Sequence, residues 1–163
     1  MPGAGKSTLG VVLAKMLNMQ FLDVDLLIQT QHGATLQELI ARHGAEAFIE
    51  FEGEALESIV DDGVENTVIA TGGSAVYSPA AIARLAKTGP IVYLEVSYDE
   101  LVKRLSGQED LDERGVVMTG DVHTLRELDA ERRPLYGQVA THVVCVDGLT
   151  ITESARKVAH LVK

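Results

Sequence analysis

The chain has 163 residues, enough for one compact domain that buries roughly 70% of its unfolded surface. Apolar residues make up 46% and charged residues 23%, which excludes a disordered or fibrous chain. The 24 acids against 14 bases give a formal net charge of −10, so nucleic acid and anionic membranes are excluded as main partners.

The first eight residues read Met-Pro-Gly-Ala-Gly-Lys-Ser-Thr. They match the end of the phosphate-binding pattern G-x-x-x-x-G-K-[ST], with its first glycine falling one position ahead of Met1. Gly3, Ala4, Gly5, Lys6, Ser7 and Thr8 are the candidate nucleotide-binding residues. Glycine lets the backbone wrap a phosphate closely, and the helix that follows aims free N–H groups at the anion. Lys6 is expected to reach the β- and γ-phosphates, and Ser7 to hold Mg²⁺. Such a loop needs a strand leading into it. A short strand ending in glycine is therefore expected ahead of Met1.

A helix is predicted over 9–17, with Leu9, Leu13 and Leu17 on one face. A strand over 20–23 then leads into Asp23 and Asp25. Two acids two apart on a strand end point the same way. Beside a nucleotide, one suits hydrated Mg²⁺ and the other suits a substrate hydroxyl. Helices are predicted over 36–43 and 45–59, the second striped by Phe48, Ala55, Leu56 and Ile59. The region from Glu38 to Glu65 holds nine acids and one base, Arg42, and within it the acidic run from Glu46 to Glu57 reads mainly as a solvated face, with Glu52 the exception. A strand over 67–70 ends in Thr71-Gly72-Gly73-Ser74, whose glycine pair permits a ligand to approach the backbone closely.

A helix over 79–87 opens on Pro79, which an early helical position tolerates. The strand over 91–96 is nearly continuous in apolar residues, as in a parallel sheet covered on both faces. A helix over 98–105 follows. Residues 106–123 break the alternation and read either as a surface loop or as a lid over a site. Helices over 124–136 and 152–162 carry capping boxes, Thr124 with Glu127 and Thr150 with Glu153. Between them lies a strand over 142–146. Its single cysteine, Cys145, is expected to be a buried small hydrophobe. One cysteine allows neither a disulfide within the chain nor a zinc cluster. The five histidines show no metal-ligand spacing. No apolar run is long enough to span a membrane and no signal peptide is seen, so the expected location is the cytoplasm. The alternation predicts one α/β domain over 1–163, a parallel sheet between helical layers.

These residues, in this order, resemble the shikimate kinase family, a small group of P-loop kinases, and the resemblance spans nearly the whole chain. It implies a three-layer αβα kinase fold with a mobile lid over 106–123. It implies ATP and Mg²⁺ as cofactors and transfer of a phosphoryl group to a small-metabolite hydroxyl, with shikimate to shikimate 3-phosphate foremost. Asp23 would lie in the Mg²⁺ shell, through water, and Asp25 would bind the acceptor hydroxyl as base or orienter. Gly72 and Gly73 would line the acceptor, Arg114 of the lid would approach the transferring phosphate, and Arg132 would touch the acceptor's carboxylate. Lys6, Asp25 and Arg114 form the expected catalytic set. A monomer or weak oligomer is expected.

Departures from the family cluster around the acceptor. Ile49 stands where the family has a carboxylate-clamping arginine, and isoleucine offers no fork to a carboxylate. Glu52, which would face that arginine, is expected to lack its partner and to be open to a cationic group. Ser74 replaces a third glycine. The family's lid sequence Arg-Pro-Leu-Leu is Arg114-Gly115-Val116-Val117 here. Two alternatives stay open on these grounds: a kinase for another hydroxyl compound such as homoserine, and a nucleotide-binding regulatory protein without transfer.

Overall fold

The computed structural model describes residues 1–105, 115–120 and 122–162. Its elements run α1 (Lys6–Leu17), β1 (Gln20–Asp23), α2 (Val24–His32), α3 (Leu36–Asp61), β2 (Thr67–Ala70), a 3₁₀ turn (Ala75–Tyr77), α4 (Pro79–Leu85), β3 (Val92–Glu95), α5 (Tyr98–Leu105), α6 (Leu125–Val139), β4 (His142–Cys145) and α7 (Ile151–Leu161). The alternation is that of the expected α/β fold.

Local chemistry sets the helix boundaries. Thr35, Thr124 and Thr150 each accept from the backbone N–H three residues on, and Glu38, Glu127 and Glu153 reach back to close capping boxes. The first of these boxes has the same spacing as the other two and was equally readable in the sequence. Gly44 adopts φ 85°, ψ 168°, a conformation nearly confined to glycine. It divides α3 into the two helices expected over 36–43 and 45–59. The helix α2 was not expected. The Asp23 carboxylate accepts from the backbone N–H groups of Asp25 and Leu26 and starts that helix directly off β1.

The strands form two parallel pairs, β1 with β2 and β3 with β4. Helix α1 packs on α7 and against β1 and β2, while α3 packs on α2 and α4. Alternation along β2 joins the layers: Val68 meets the core that holds Leu9, Leu13 and Val158, and Ile69 meets the core that holds Ile28, Phe48 and Leu56. Burial of these two apolar cores is the main favourable term of the fold.

The outer strand β4 corrects one expectation. Val144 is buried, but Val143 is 52% exposed and Cys145 is exposed as well. This strand has one open face, so its side chains alternate between core and water, and the thiol falls on the water side.

Candidate active site

The site is built at the carboxyl ends of the strands, where open α/β sheets gather ligands. Gly3 and Gly5 have φ of 74° and 86°, a region that side-chain-bearing residues avoid. Gly5 sits at the N-cap of α1, and no side chain caps that helix. Helices α2, α3, α6 and α7 all have side-chain caps. The first turn of α1 also lacks acids, and Ser7 and Thr8 are exposed. An uncapped, acid-free N-terminus is a ready anion site. Ala4 is buried beneath it. Lys6 Nζ donates to the Met1 carbonyl at 3.0 Å. Burial pulls the Lys6 ammonium below its ordinary value, while Asp25 and Glu52 hold it up.

Asp23 ends β1, and one of its oxygens serves as the cap of α2. Asp25 lies in the first turn of that helix. The two acids therefore do not share a strand face, contrary to the expectation from alternation along β1; a helix begins between them. Burial raises the Asp25 pKa, and Lys6 opposes that shift.

The turn after β2 gathers the remaining groups. A Cβ on Gly72 would overlap Glu52 Oε1 and stand 2.8 Å from Asp25 Oδ1. A Cβ on Gly73 would stand 3.1 Å from Arg132 Nη1 and 3.6 Å from Tyr136 Oη. Both glycines are thus spacers between side chains from α2, α3 and α6. Tyr136 donates to the Gly73 carbonyl at 2.7 Å and stacks on Tyr93, so it holds the turn as well as filling the core.

Glu52 is fully buried, with Ser74 Oγ donating to Oε2 at 2.5 Å. This overturns the expectation that Glu52 lacks a partner: Ser74 fills that role. The other oxygen, Oε1, is buried with no hydrogen-bond partner. Burial, reinforced by the charge on Asp25, raises the Glu52 pKa to about 7, against the Ser74 hydrogen bond and the charges of Arg132 and Lys6. Ile49 packs against the core around Phe48 and Leu56.

Arg132 is 1% exposed. Its Nε donates to Tyr77 Oη at 3.1 Å, its Nη2 donates to the Val117 carbonyl at 2.5 Å, and the guanidinium lies over the Tyr77 ring. Nη1 is the nitrogen turned toward Gly73. Tyr77 in turn donates to Glu131. Tyr77 lies 54 and 55 residues from the adjacent Glu131 and Arg132, so no local pattern announces that it and Glu131 join Arg132. Arg133 is engaged elsewhere, by Asp129 and the Val96 carbonyl, and so does not stand in for the missing arginine.

Arg114 and most of the expected lid, residues 106–114 and 121, lie outside the described residues. The segment that follows explains one departure. Gly115 has φ 61°, and a Cβ there would stand 2.6 Å from Leu36 Cβ. Proline, fixed near φ −65°, cannot take that conformation.

Among the described residues, no group of three or more His, Cys, Asp or Glu is placed to hold a metal ion. Mg²⁺ does not require one, because it is commonly bound by one or two protein oxygens together with substrate phosphates and water. Ser7 and Asp23 fit that limited role.

The shikimate kinase family model matches residues 2–163. A shikimate kinase of Francisella tularensis is 34% identical over 158 residues, covering 96% of this chain and 88% of that protein. The solved shikimate kinase of Acinetobacter baumannii, in complex with shikimate, is similar with a TM-score of 0.81 at 28% identity, over 98% of this chain and 87% of that one. The shikimate kinase of Bacteroides thetaiotaomicron gives a TM-score of 0.80 at 29% identity, over 98% and 93%.

Proposed function

The chain belongs to the shikimate kinase family, and on that premise we propose that it transfers the γ-phosphoryl group of ATP to a hydroxyl of shikimate, giving shikimate 3-phosphate. One observation carries this reading. The Gly72–Gly73 turn brings Asp25 and Arg132, an acceptor of a hydroxyl proton and a partner for a carboxylate, to the same place. A hydroxy acid has both features.

The backbone N–H groups at the start of α1 and the Lys6 ammonium bind the phosphates of ATP. Ser7, with Asp23 through water, would hold Mg²⁺, which when bound would neutralise phosphate charge. Asp25 aims the acceptor hydroxyl and takes its proton, and its burial makes it a stronger base than an exposed aspartate. Arg132 presents Nη1 to the acceptor's carboxylate across Gly73. Arg114 completes the charge neutralisation around the transferring group. Positioning and electrostatics supply most of the rate in such transfers. A cytoplasmic location and action as a monomer or weak oligomer complete the reading.

The homoserine alternative rested on a Glu52 open to an amine. With Ser74 on one oxygen and the residue fully buried, the carboxylate is not presented to a cationic substrate group. The test is incubation with ATP, Mg²⁺ and shikimate, followed by phosphorus NMR. A single new phosphate ester on the 3-hydroxyl is expected. ATP consumption that is the same with and without shikimate would contradict the reading.

A further inference from the structure

Helix α6 places two arginines side by side, and they are held in opposite ways. Arg133 is ion-paired: Asp129, four residues earlier on the same helix, accepts from it at 2.9 Å, so its charge is neutralised within the protein. Arg132 is 1% exposed and lies among neutral oxygens, Tyr77 Oη and the Val117 carbonyl. Among the described residues, no carboxylate forms an ion pair with Arg132. A buried guanidinium held by neutral acceptors keeps its full charge for an anionic ligand.

The acid next to Arg132 along the helix is Glu131, and adjacent helical residues do not face each other. Tyr77 bridges them. Its hydroxyl accepts from Arg132 Nε at 3.1 Å and donates to the Glu131 carboxylate, two roles that one phenol fills at once. Thr119 also donates to Glu131, at 3.4 Å, so the carboxylate that orients the phenol is itself held. The guanidinium carbon stands 5.0 Å from the centre of the Tyr77 ring, which adds a cation–π contact.

Tyr77 belongs to the same piece of backbone as Gly72 and Gly73. Its N–H donates to the Ser74 carbonyl at 2.9 Å, in the 3₁₀ turn that follows the glycines, and Ala75 and Val76 anchor that turn in the two cores. Arg132 and Tyr136 are four residues apart on α6 and so share a face. Tyr136 holds the Gly73 carbonyl while Arg132 holds Tyr77. These two attachments keep Arg132 Nη1 beside Gly73, 3.1 Å from the place a Cβ there would take.

On the reading of shikimate as the acceptor, we infer that Tyr77 is a positioning residue for the acceptor's carboxylate: it locks the Arg132 guanidinium in one orientation without neutralising it, and Glu131 sets the direction of the phenol. Without the Tyr77 hydroxyl, Arg132 keeps its charge but loses the contact at Nε that aims it. Binding of a carboxylate is then weakened, whereas the transfer step at Asp25 is left alone.

The test compares the parent with Tyr77→Phe, Glu131→Ala and Glu131→Gln. Tyr77→Phe keeps the ring over the guanidinium and removes only the hydroxyl. It is expected to raise KM for shikimate about 10-fold, with kcat and the KM for ATP within about 2-fold. The methyl ester of shikimate has no charged carboxylate, so its inhibition constant should be the same in parent and variant. Glu131→Ala should repeat the Tyr77→Phe pattern. Glu131→Gln, whose amide oxygen still accepts from the phenol, should return KM to near the parent's. Nitrogen-15 NMR of the Arg132 Nε–H reads the lock without substrate, and its exchange with water is expected to quicken in Tyr77→Phe. An unchanged shikimate KM, an equal loss with the ester, or an unchanged Nε exchange would each overturn the proposal. A parent that turns over no shikimate would contradict the proposed acceptor instead, and the Nε exchange would still decide whether Tyr77 holds Arg132.

Discussion

Glu52 is held inside the protein with one oxygen on Ser74, the other against the Gly72 backbone and Asp25 close by. Its pKa rises from 4.5 to about 7, so between those values the folded protein binds a proton that the unfolded chain releases. The associated stability is fully present below pH 4.5 and is lost as pH rises through 7, a total of about 3 kcal/mol. Glu52→Gln is expected to flatten that loss, which urea unfolding at pH 5 and pH 8 would show; an unchanged difference between the two pH values would count against a buried, proton-binding Glu52. Gly72 gives a second prediction. Its Cβ would overlap the Glu52 carboxylate, so Gly72→Ala is expected to destabilise the fold by about 1–3 kcal/mol and to reduce turnover, by calorimetry and by ADP release. Asp25→Asn keeps the shape and removes the base. Turnover is expected to fall about 10²-fold or more, while ATP affinity measured by titration calorimetry stays within a few-fold. The opposite pattern, weakened ATP binding with turnover retained, would remove Asp25 from its role.

Among the elements, α1 and α3 carry the most functional weight. The uncapped start of α1 is useful because it is incomplete: four backbone donors remain for an anion. The break at Gly44 lets the second half of α3 approach the sheet on its own line, which seats Phe48 and Glu52 in the interior. No atom lies within 4 Å of a Cβ built on Gly44, so Gly44→Ala tests conformation alone. A loss of about 1–3 kcal/mol is expected, and a thermal unfolding curve matching the parent would show that the break tolerates a side chain. The capping boxes at Thr124 and Thr150 were readable because both partners lie within four residues. So was the helix break at Gly44. The helix α2 is not legible in the sequence because Asp23 ends an apolar strand pattern, while its carboxylate is the cap. The exposure of Cys145 was missed because an apolar run looks the same whether one or both of its faces are covered.

For the whole molecule, local pattern accounts for the layers and long-range pairing accounts for the site. The alternation of apolar runs with amphipathic helices was enough to predict an α/β fold, and the order of Gly3–Ser7, Asp23, Asp25 and Gly72–Gly73 was enough to suggest phosphoryl transfer. The Ser74–Glu52 bond spans 22 residues and the Arg132–Val117 bond spans 15. Nothing in residue type or spacing announces either, since each depends on where three helices meet one turn. The replacement of arginine by Ile49 looked like the opening of a new acceptor pocket. The structure instead buries Glu52 together with Ser74, leaves Ile49 half-buried against the core, and keeps Arg132 beside the glycine turn. The acceptor is therefore expected to be held by its carboxylate and hydroxyl, with no amine recognised. The most direct measurement is kcat/KM, by ADP release with ATP and Mg²⁺, for shikimate and for homoserine. Shikimate is expected to be favoured by about 10³-fold or more. Homoserine turned over as well as shikimate, or better, would contradict an acceptor site built around Asp25 and Arg132 alone.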